Sequence, residues 1–175
     1  MSQASKHVEW CLNKAKKEIE ECTRLGKRPK HRGLLKVNPD PEEAKKHLAK
    51  AEHNLDGITK FKGIGFSDWS MSAGFYCIYH CFLAIAAKFG YESVNQTCTI
   101  SLIRSLKENN KLKIDKKFIE LLEYEEMENS RDDSIIDLRE DYTYGVQISF
   151  KDEAKLNDLK KVCKELIDIT KQIIY

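Results

Sequence analysis

Proline is scarce in this chain, with three residues in 175, and glycine contributes only eight. So little of either excludes a collagen-like or Pro-rich low-complexity chain and leaves long uninterrupted helices open to it. No apolar run reaches the roughly 18 residues that a membrane span needs. The Ala73–Ala87 region comes closest and is punctuated by polar side chains. An excess of one charge is missing too: 30 Lys and Arg stand against 28 Asp and Glu, a net charge of +2. Bulk charge therefore does not call for nucleic acid, and only local clustering can make that case. There is no P-loop and no G-x-G-x-x-G, and Gly63-Ile64-Gly65 alone reads as a helix connector. His47 and His53 are six residues apart, about 600° round a helix, so they do not share a face. With His7 and His31 they make no metal-ligand pattern, and neither a metal nor a cofactor is expected. The N-terminal MSQASKHVEW lacks a leader-like apolar core. Cys11, Cys22, Cys77, Cys81, Cys98 and Cys163 are scattered along predicted helices and read as reduced thiols, so the chain is expected to be cytoplasmic.

What the chain does have is helical periodicity, over a length of 175 residues that suits one domain with a real core. Val8, Leu12, Ala15, Ile19 and Cys22 form one apolar stripe, which predicts a helix from about Ser5 to Leu25 that Gly26 ends. GKRPKHRGLLKVNPDP then reads as a loop. A second helix opens with Asp40 as N-cap, Pro41 at the first helical position and Glu43 in the first turn. Its stripe is Ala44, Leu48, Ala51, Leu55 and Ile58, fading near Lys62–Gly65. A third begins at Ser67 or Asp68 and ends at Gly90. A connection at Tyr91–Cys98 leads into a shorter helix, Ile100–Glu108. Asp115 can cap the next, whose apolar positions include Phe118, Leu121, Leu122 and Met127; its continuation to Leu138 is left open by the wholly polar Glu128–Asp133. A break is expected at Arg139–Gln147, and a last helix after Ser149, with Asp152 as a capping-box-like partner. Apart from Tyr144–Phe150, no segment alternates as a strand does. The fold expected is all-α, an antiparallel bundle of five to six helices, with the third helix the most buried. Residues 1–39 are expected to form an N-terminal helix and basic loop that pack on or extend a bundle spanning 40–175.

The third helix carries the chain's most informative pattern. Ser72, Tyr76 and His80 recur at i, i+4 spacing on one face of an otherwise apolar, aromatic-rich segment. Each polar group there must find a partner or stand unsatisfied in the core.

Ser72-Ala-Gly-Phe-Tyr76-Cys-Ile-Tyr-His80, preceded by AKKHLAKAEHNL at Ala44–Leu55, resembles the small prokaryotic HEPN (higher eukaryote and prokaryote nucleotide-binding) domains. Gly74 stands where that family usually has alanine, and Phe75 where it usually has tyrosine. The likeness continues at Gly90-Tyr91, Ile100–Leu102 and Arg139–Tyr144, and leaves out the N-terminal helix and basic loop. The resemblance implies a helical bundle that commonly forms a homodimer. It also implies metal-independent ribonuclease activity, or a toxin paired with a nucleotidyltransferase antitoxin. The family's ribonucleases use an Arg-x(4–6)-His motif, from which this chain departs. Neither Arg139 nor Arg131 is followed at that spacing by histidine, although Arg139 with Tyr144 looks like the Arg-to-Tyr variant of one branch.

Cleavage of RNA without metal needs a base, an acid and a cation for the developing phosphorane charge. Arg139 has a fork suited to phosphate, Tyr144 can donate a proton, and His80 titrates in the right range. The three make a candidate catalytic set if their helices abut. The plainer alternatives are a hydrogen-bonded core histidine for His80, an ion pair with Asp137, Glu140 or Asp141 for Arg139, and core polar support for Ser72 and Tyr76. Cys77 and Cys81, one turn apart beside His80, read as buried small hydrophobes. The segment Arg24–Lys36 contains Arg24, Lys27, Arg28, Lys30, His31, Arg32 and Lys36 and no carboxylate. Arg24, Lys27, Arg28, Lys30 and Arg32 are candidates for RNA or phosphate contact, without aromatics for base stacking. The function expected is a HEPN-like module that binds RNA, a nucleotide or a nucleotidyltransferase-type partner. A metal-independent endoribonuclease toxin is the alternative, and no membrane association is expected.

Overall fold

The computed structural model describes residues 2–122 and 135–175. The fold is all-α, a helical bundle. Among the described residues there are seven helices: α1 (Gln3–Arg24), α2 (Pro41–Gly63), α3 (Asp68–Lys88), α4 (Gln96–Glu108), α5 (Lys116–Glu120), α6 (Ile135–Tyr144) and α7 (Glu153–Ile174). The expectations about Met127, Glu128–Asp133 and Arg131 lie outside the described residues.

Most helix starts follow local chemistry. Asp40 accepts from Glu43 N at 2.9 Å, as the capping pattern foretells. Asp115 accepts from Lys117 N at 2.9 Å at the head of α5. Three expectations change. The first cap is Ser2, whose hydroxyl accepts from Ser5 N at 3.1 Å. Asp152 is itself the N-cap of α7, accepting from Lys155 N at 2.9 Å, rather than a partner of Ser149. The expected break at Arg139–Gln147 is helical as far as Tyr144, because the tyrosines are tolerated and only Gly145 stops the helix.

The chain forms two compact units, one from residues 1–45, 82–114 and 174 and the other from 46–81, 115–173 and 175. In the first unit α1 lies antiparallel to α4. Ser5 meets Ser105 at 3.0 Å, His7 meets Ser101 at 3.3 Å, and Cys11 is joined to Cys98 by a disulfide, so residue numbers rise on one helix as they fall on the other. That bond corrects the reading of six reduced cysteines. The two thiols are 87 residues apart, and only the packing of α1 on α4 brings their Cα atoms to 6.0 Å. The segment expected to be open loop contains a short strand, β1 (Leu34–Lys36), which pairs antiparallel with β2 (Tyr91–Ser93). Three-residue strands leave too little alternation for a period to register. Gly33 explains how β1 reaches α1, since a Cβ there would collide with the Cys11 carbonyl and meet Ala15.

The second unit is organised by α3. Ser70 donates to the Ile58 carbonyl at 2.8 Å and His80 meets His47 at 3.1 Å, so α2 runs antiparallel to it. Ser72 meets Thr143 at 2.7 Å and Phe75 takes the Arg139 guanidinium on its ring, so α6 is antiparallel as well. Along α7 the order is the same as along α3: Leu159 packs at Gly74, the Cys163 thiol donates to the Gly74 carbonyl at 3.6 Å, and Cys77 hydrogen-bonds Cys163. Helix α3 has the length and composition of a membrane span, with a mean hydropathy of 1.4 over its most apolar window, and 83% of that window is buried. Phe75, Ile78, Phe82 and Ile85 are among its fully buried side chains.

Gly74 has a packing reason to lack a side chain. A Cβ there would lie 2.7 Å from Leu159 Cγ, inside contact distance. Alanine improves helix propensity by about 1 kcal/mol, but overpacking costs about 1–3 kcal/mol. Gly74→Ala is expected to be destabilised in urea titration, and Gly74→Ala with Leu159→Ala to regain stability relative to the sum of the single changes.

Candidate functional site

The three polar positions of the α3 stripe meet different fates. Ser72 is buried and bonded to Thr143 of α6. Tyr76 was expected to support the core, but its side chain is 44% exposed and packs edge-on against the Phe75 ring. His80 is half-buried, its Nδ1 3.1 Å from His47 Nδ1. Burial, with His47 and Lys50 nearby, lowers its pKa from 6.5 to about 4, so it is neutral at pH 7. His47, which the sequence placed in no metal-ligand pattern, is its partner; the sequence separates the two by 33 positions on different helices.

Arg139 lies with its guanidinium carbon 4.5 Å from the centre of the buried Phe75 ring, and its Nη2 is 3.0 Å from Glu140 Oε1. Its side chain is 15% exposed and its Nε is buried without a partner. Tyr144 is 77% exposed. Since both belong to one helix, five positions apart, they point about 140° away from each other. The structure therefore unites Arg139 with Ser72 and Phe75 through the α6 face that also holds Thr143, and it does not bring Tyr144 to that face. His80 is engaged with His47, one helical turn and more beyond Phe75. The expected set of Arg139, Tyr144 and His80 is not assembled into one centre, because α6 is a continuous helix where a break was expected.

The basic segment after α1 is less free than its composition implies. Glu18 accepts from the Arg32 backbone N–H at 2.6 Å, Glu21 sits 3.7 Å from Arg24, and His31 meets Glu92 of β2 at 3.1 Å. Glu18 and Glu21 line a pocket of about 340 Å³ together with Lys27, Lys30, His31 and Arg32. Arg28 is exposed. Three carboxylates from neighbouring elements thus offset part of the charge that the segment alone displays.

A stronger cationic feature lies in the second unit. Lys62 pairs with Glu153 at 2.8 Å and Lys171 with Glu52 at 2.7 Å, which sets α2 and α7 side by side and antiparallel. Between those pairs lies a groove of about 630 Å³. Leu55, Asp56 and Thr59 of α2 line one wall, and Asn157, Lys160, Lys161 and Lys164 of α7 the other. Its acidic members are engaged: Asp56 lies 3.6 Å from Lys60, and Asp158 beside the groove lies 3.4 Å from Lys161. The signal was in the sequence, since Asn157, Lys160, Lys161 and Lys164 follow the spacing of one helix face. On an isolated helix such a stripe reads as a solvated surface; only the α2 wall makes it concave.

The thiols of Cys77, Cys81 and Cys163 are fully buried. A hydrogen bond to Cys163 and burial push the Cys77 thiol up, and a hydrogen bond to Cys77 and burial raise Cys81. Both stay protonated, consistent with the packing role read from their neighbours. Comparison of the chain with protein-family models and with curated proteins finds no match in either.

Two predictions follow the geometry. Because the pKa of His80 falls on folding, the unfolded chain binds more protons between pH 6.5 and about 4, and stability is lost as pH falls through that window. His80→Gln is expected to flatten this part of a stability–pH curve measured by urea unfolding, relative to the unsubstituted chain. Arg139→Lys retains the charge and loses the planar stack on Phe75. It is expected to cost about 1 kcal/mol, and Arg139→Ala more, by thermal unfolding followed by circular dichroism.

Proposed function

We propose that this chain is a HEPN-like helical-bundle module that binds a phosphate-bearing ligand, a nucleotide or a stretch of RNA, in the groove between α2 and α7. The observation that carries the reading is the convergence of Lys160, Lys161 and Lys164 on one concave wall. Ammonium groups on a single wall suit successive or clustered phosphate oxygens, while Asn157 and Thr59 add neutral hydrogen-bonding groups and Leu55 an apolar contact. A volume of about 630 Å³ falls within the ordinary range for small-molecule sites. The HEPN part of the proposal rests on the α2–α3 motif and on the partnered Ser72 and His80 of α3.

A homodimer is the assembly this reading favours. Ile64, Phe66 and Trp69 are exposed around the start of α3. Val146 and Ile148 are exposed on the segment that the Phe150 N–H ties to Ser67 at 2.8 Å. Apolar side chains gathered in this way suit association with a second copy, or with a nucleotidyltransferase antitoxin. The endoribonuclease alternative gains no support from the positions of Arg139 and Tyr144, which face apart on α6.

Fluorescence anisotropy of a labelled single-stranded RNA and a labelled adenine nucleotide, in EDTA, tests the groove. Replacing Lys160, Lys161 and Lys164 by alanine is expected to weaken binding at least about tenfold and to reduce the slope of log affinity against log salt by about 2. Replacing Lys27, Arg28 and Lys30 should weaken it less. Unchanged affinity in the groove variant would sink the site assignment. RNA cleavage in EDTA that disappears in folded Arg139→Lys would restore the nuclease reading. Light scattering reports the assembly: a monomer at 20.3 kDa removes the dimer.

A further inference from the structure

His7, Cys11 and Cys98 converge in the first unit, each offering one ligand atom, and those atoms all lie within 4.8 Å of one another. Among the described residues this is the one place where three histidine, cysteine or carboxylate ligands meet so closely. We propose that, in the reduced protein, these three side chains bind a single divalent metal ion of the zinc type, and that the disulfide between Cys11 and Cys98 is the metal-free, oxidised form of the same site.

The local chemistry supports each ligand. His7 and Cys11 stand at i, i+4 on α1, so both project from one face toward α4, the spacing by which a single helix supplies two metal ligands. Cys98 comes from the first turn of α4, where Asn95 caps the helix by accepting from the Cys98 backbone N–H at 2.9 Å. His7 Nδ1 lies 3.3 Å from Ser101 Oγ, one turn further along α4. With Nδ1–H donated to that hydroxyl, the lone pair is left on Nε2, and Ser101 fixes the ring as an outer partner of a metal-bound imidazole does.

Two thiolates and an imidazole are a donor set that suits zinc. With zinc–sulfur bonds of about 2.3 Å and tetrahedral angles, the two sulfurs need to stand only about 3.8 Å apart. The disulfide already holds Cys11 and Cys98 with their Cα atoms 6.0 Å apart. Both cysteines are buried and His7 is half-buried. The interconversion balances. A dithiol reductant delivers two electrons and two protons to the sulfur–sulfur bond and is itself oxidised to a disulfide. Zinc then replaces the protons of the two thiols, releasing both to solvent.

The test uses the full chain, reduced with a phosphine and freed of excess reductant, with zinc measured by equilibrium dialysis and cobalt(II) as a spectroscopic probe of thiolate ligation. The expected result is one metal per chain, a sulfur-to-cobalt absorption band, and no binding after oxidation re-forms the disulfide. Cys98→Ser should abolish the band. His7→Gln should weaken zinc at least tenfold while keeping two thiolates. Ser101→Ala, a mild change at the partly exposed outer partner, should weaken it by a smaller factor. The combined Cys77→Ser, Cys81→Ser and Cys163→Ser changes should leave the band in place, or, where that variant fails to fold, Cys22→Ser serves as the control. The proposal is overturned by absence of binding to the reduced unsubstituted chain, by a band that survives Cys98→Ser, or by zinc affinity indifferent to His7→Gln.

Discussion

Burying α3 imposes the constraint on which the second unit depends: an apolar helix can carry serines and a histidine only if each of them is answered by a neighbour. Ser70 finds the Ile58 carbonyl, Ser72 finds Thr143, His80 finds His47, and the Gly74 carbonyl accepts from Cys163. An unmet polar group in such surroundings costs about 1–3 kcal/mol. These four contacts therefore do more than satisfy valence: they select the registers in which α2, α6 and α7 lie against α3. Hydrophobic burial supplies most of the driving force but is tolerant of sliding, whereas a hydroxyl answered at 2.7 Å is not.

The same constraint relocates the chemistry. Once Thr143 must reach Ser72, the next residue on that face of α6 is Arg139, and its guanidinium comes to rest on Phe75. Tyr144 is then turned outward by the helix it shares with Arg139. On the other side, the antiparallel pairing of α2 and α7, closed by Lys62 with Glu153 and Glu52 with Lys171, leaves between them a groove that only lysines of α7 make cationic. The polar stripe that stands out in the sequence is thus chiefly a set of positioning contacts, and the cations that line the groove lie on α7.

How far the sequence could be read varies with the range of the interaction. Asp40 and Asp115 as caps and the apolar stripes of α1 and α2 were legible because a cap or a stripe is satisfied within a few residues. The strands β1 and β2 were not, since three residues each carry no period and are held by a partner far along the chain. His47 was set aside as unmatched with His53, when its partner His80 lies on another helix. The lysine stripe at Lys160, Lys161 and Lys164 was visible, but its concavity was not, because a groove needs two walls and each helix supplies one.

By itself, the sequence determined the helical class, most helix limits and the identity of the central helix. These follow from periodicity, capping and the scarcity of proline, all of which act within a turn or two. Tertiary structure alone decided which polar groups meet: His47 with His80, Arg139 with Phe75, Cys11 with Cys98. The reason is that a side chain's spacing along its own helix fixes the face it occupies but not the helix it faces. Partners separated by 33, 64 and 87 positions are chosen only when the helices pack.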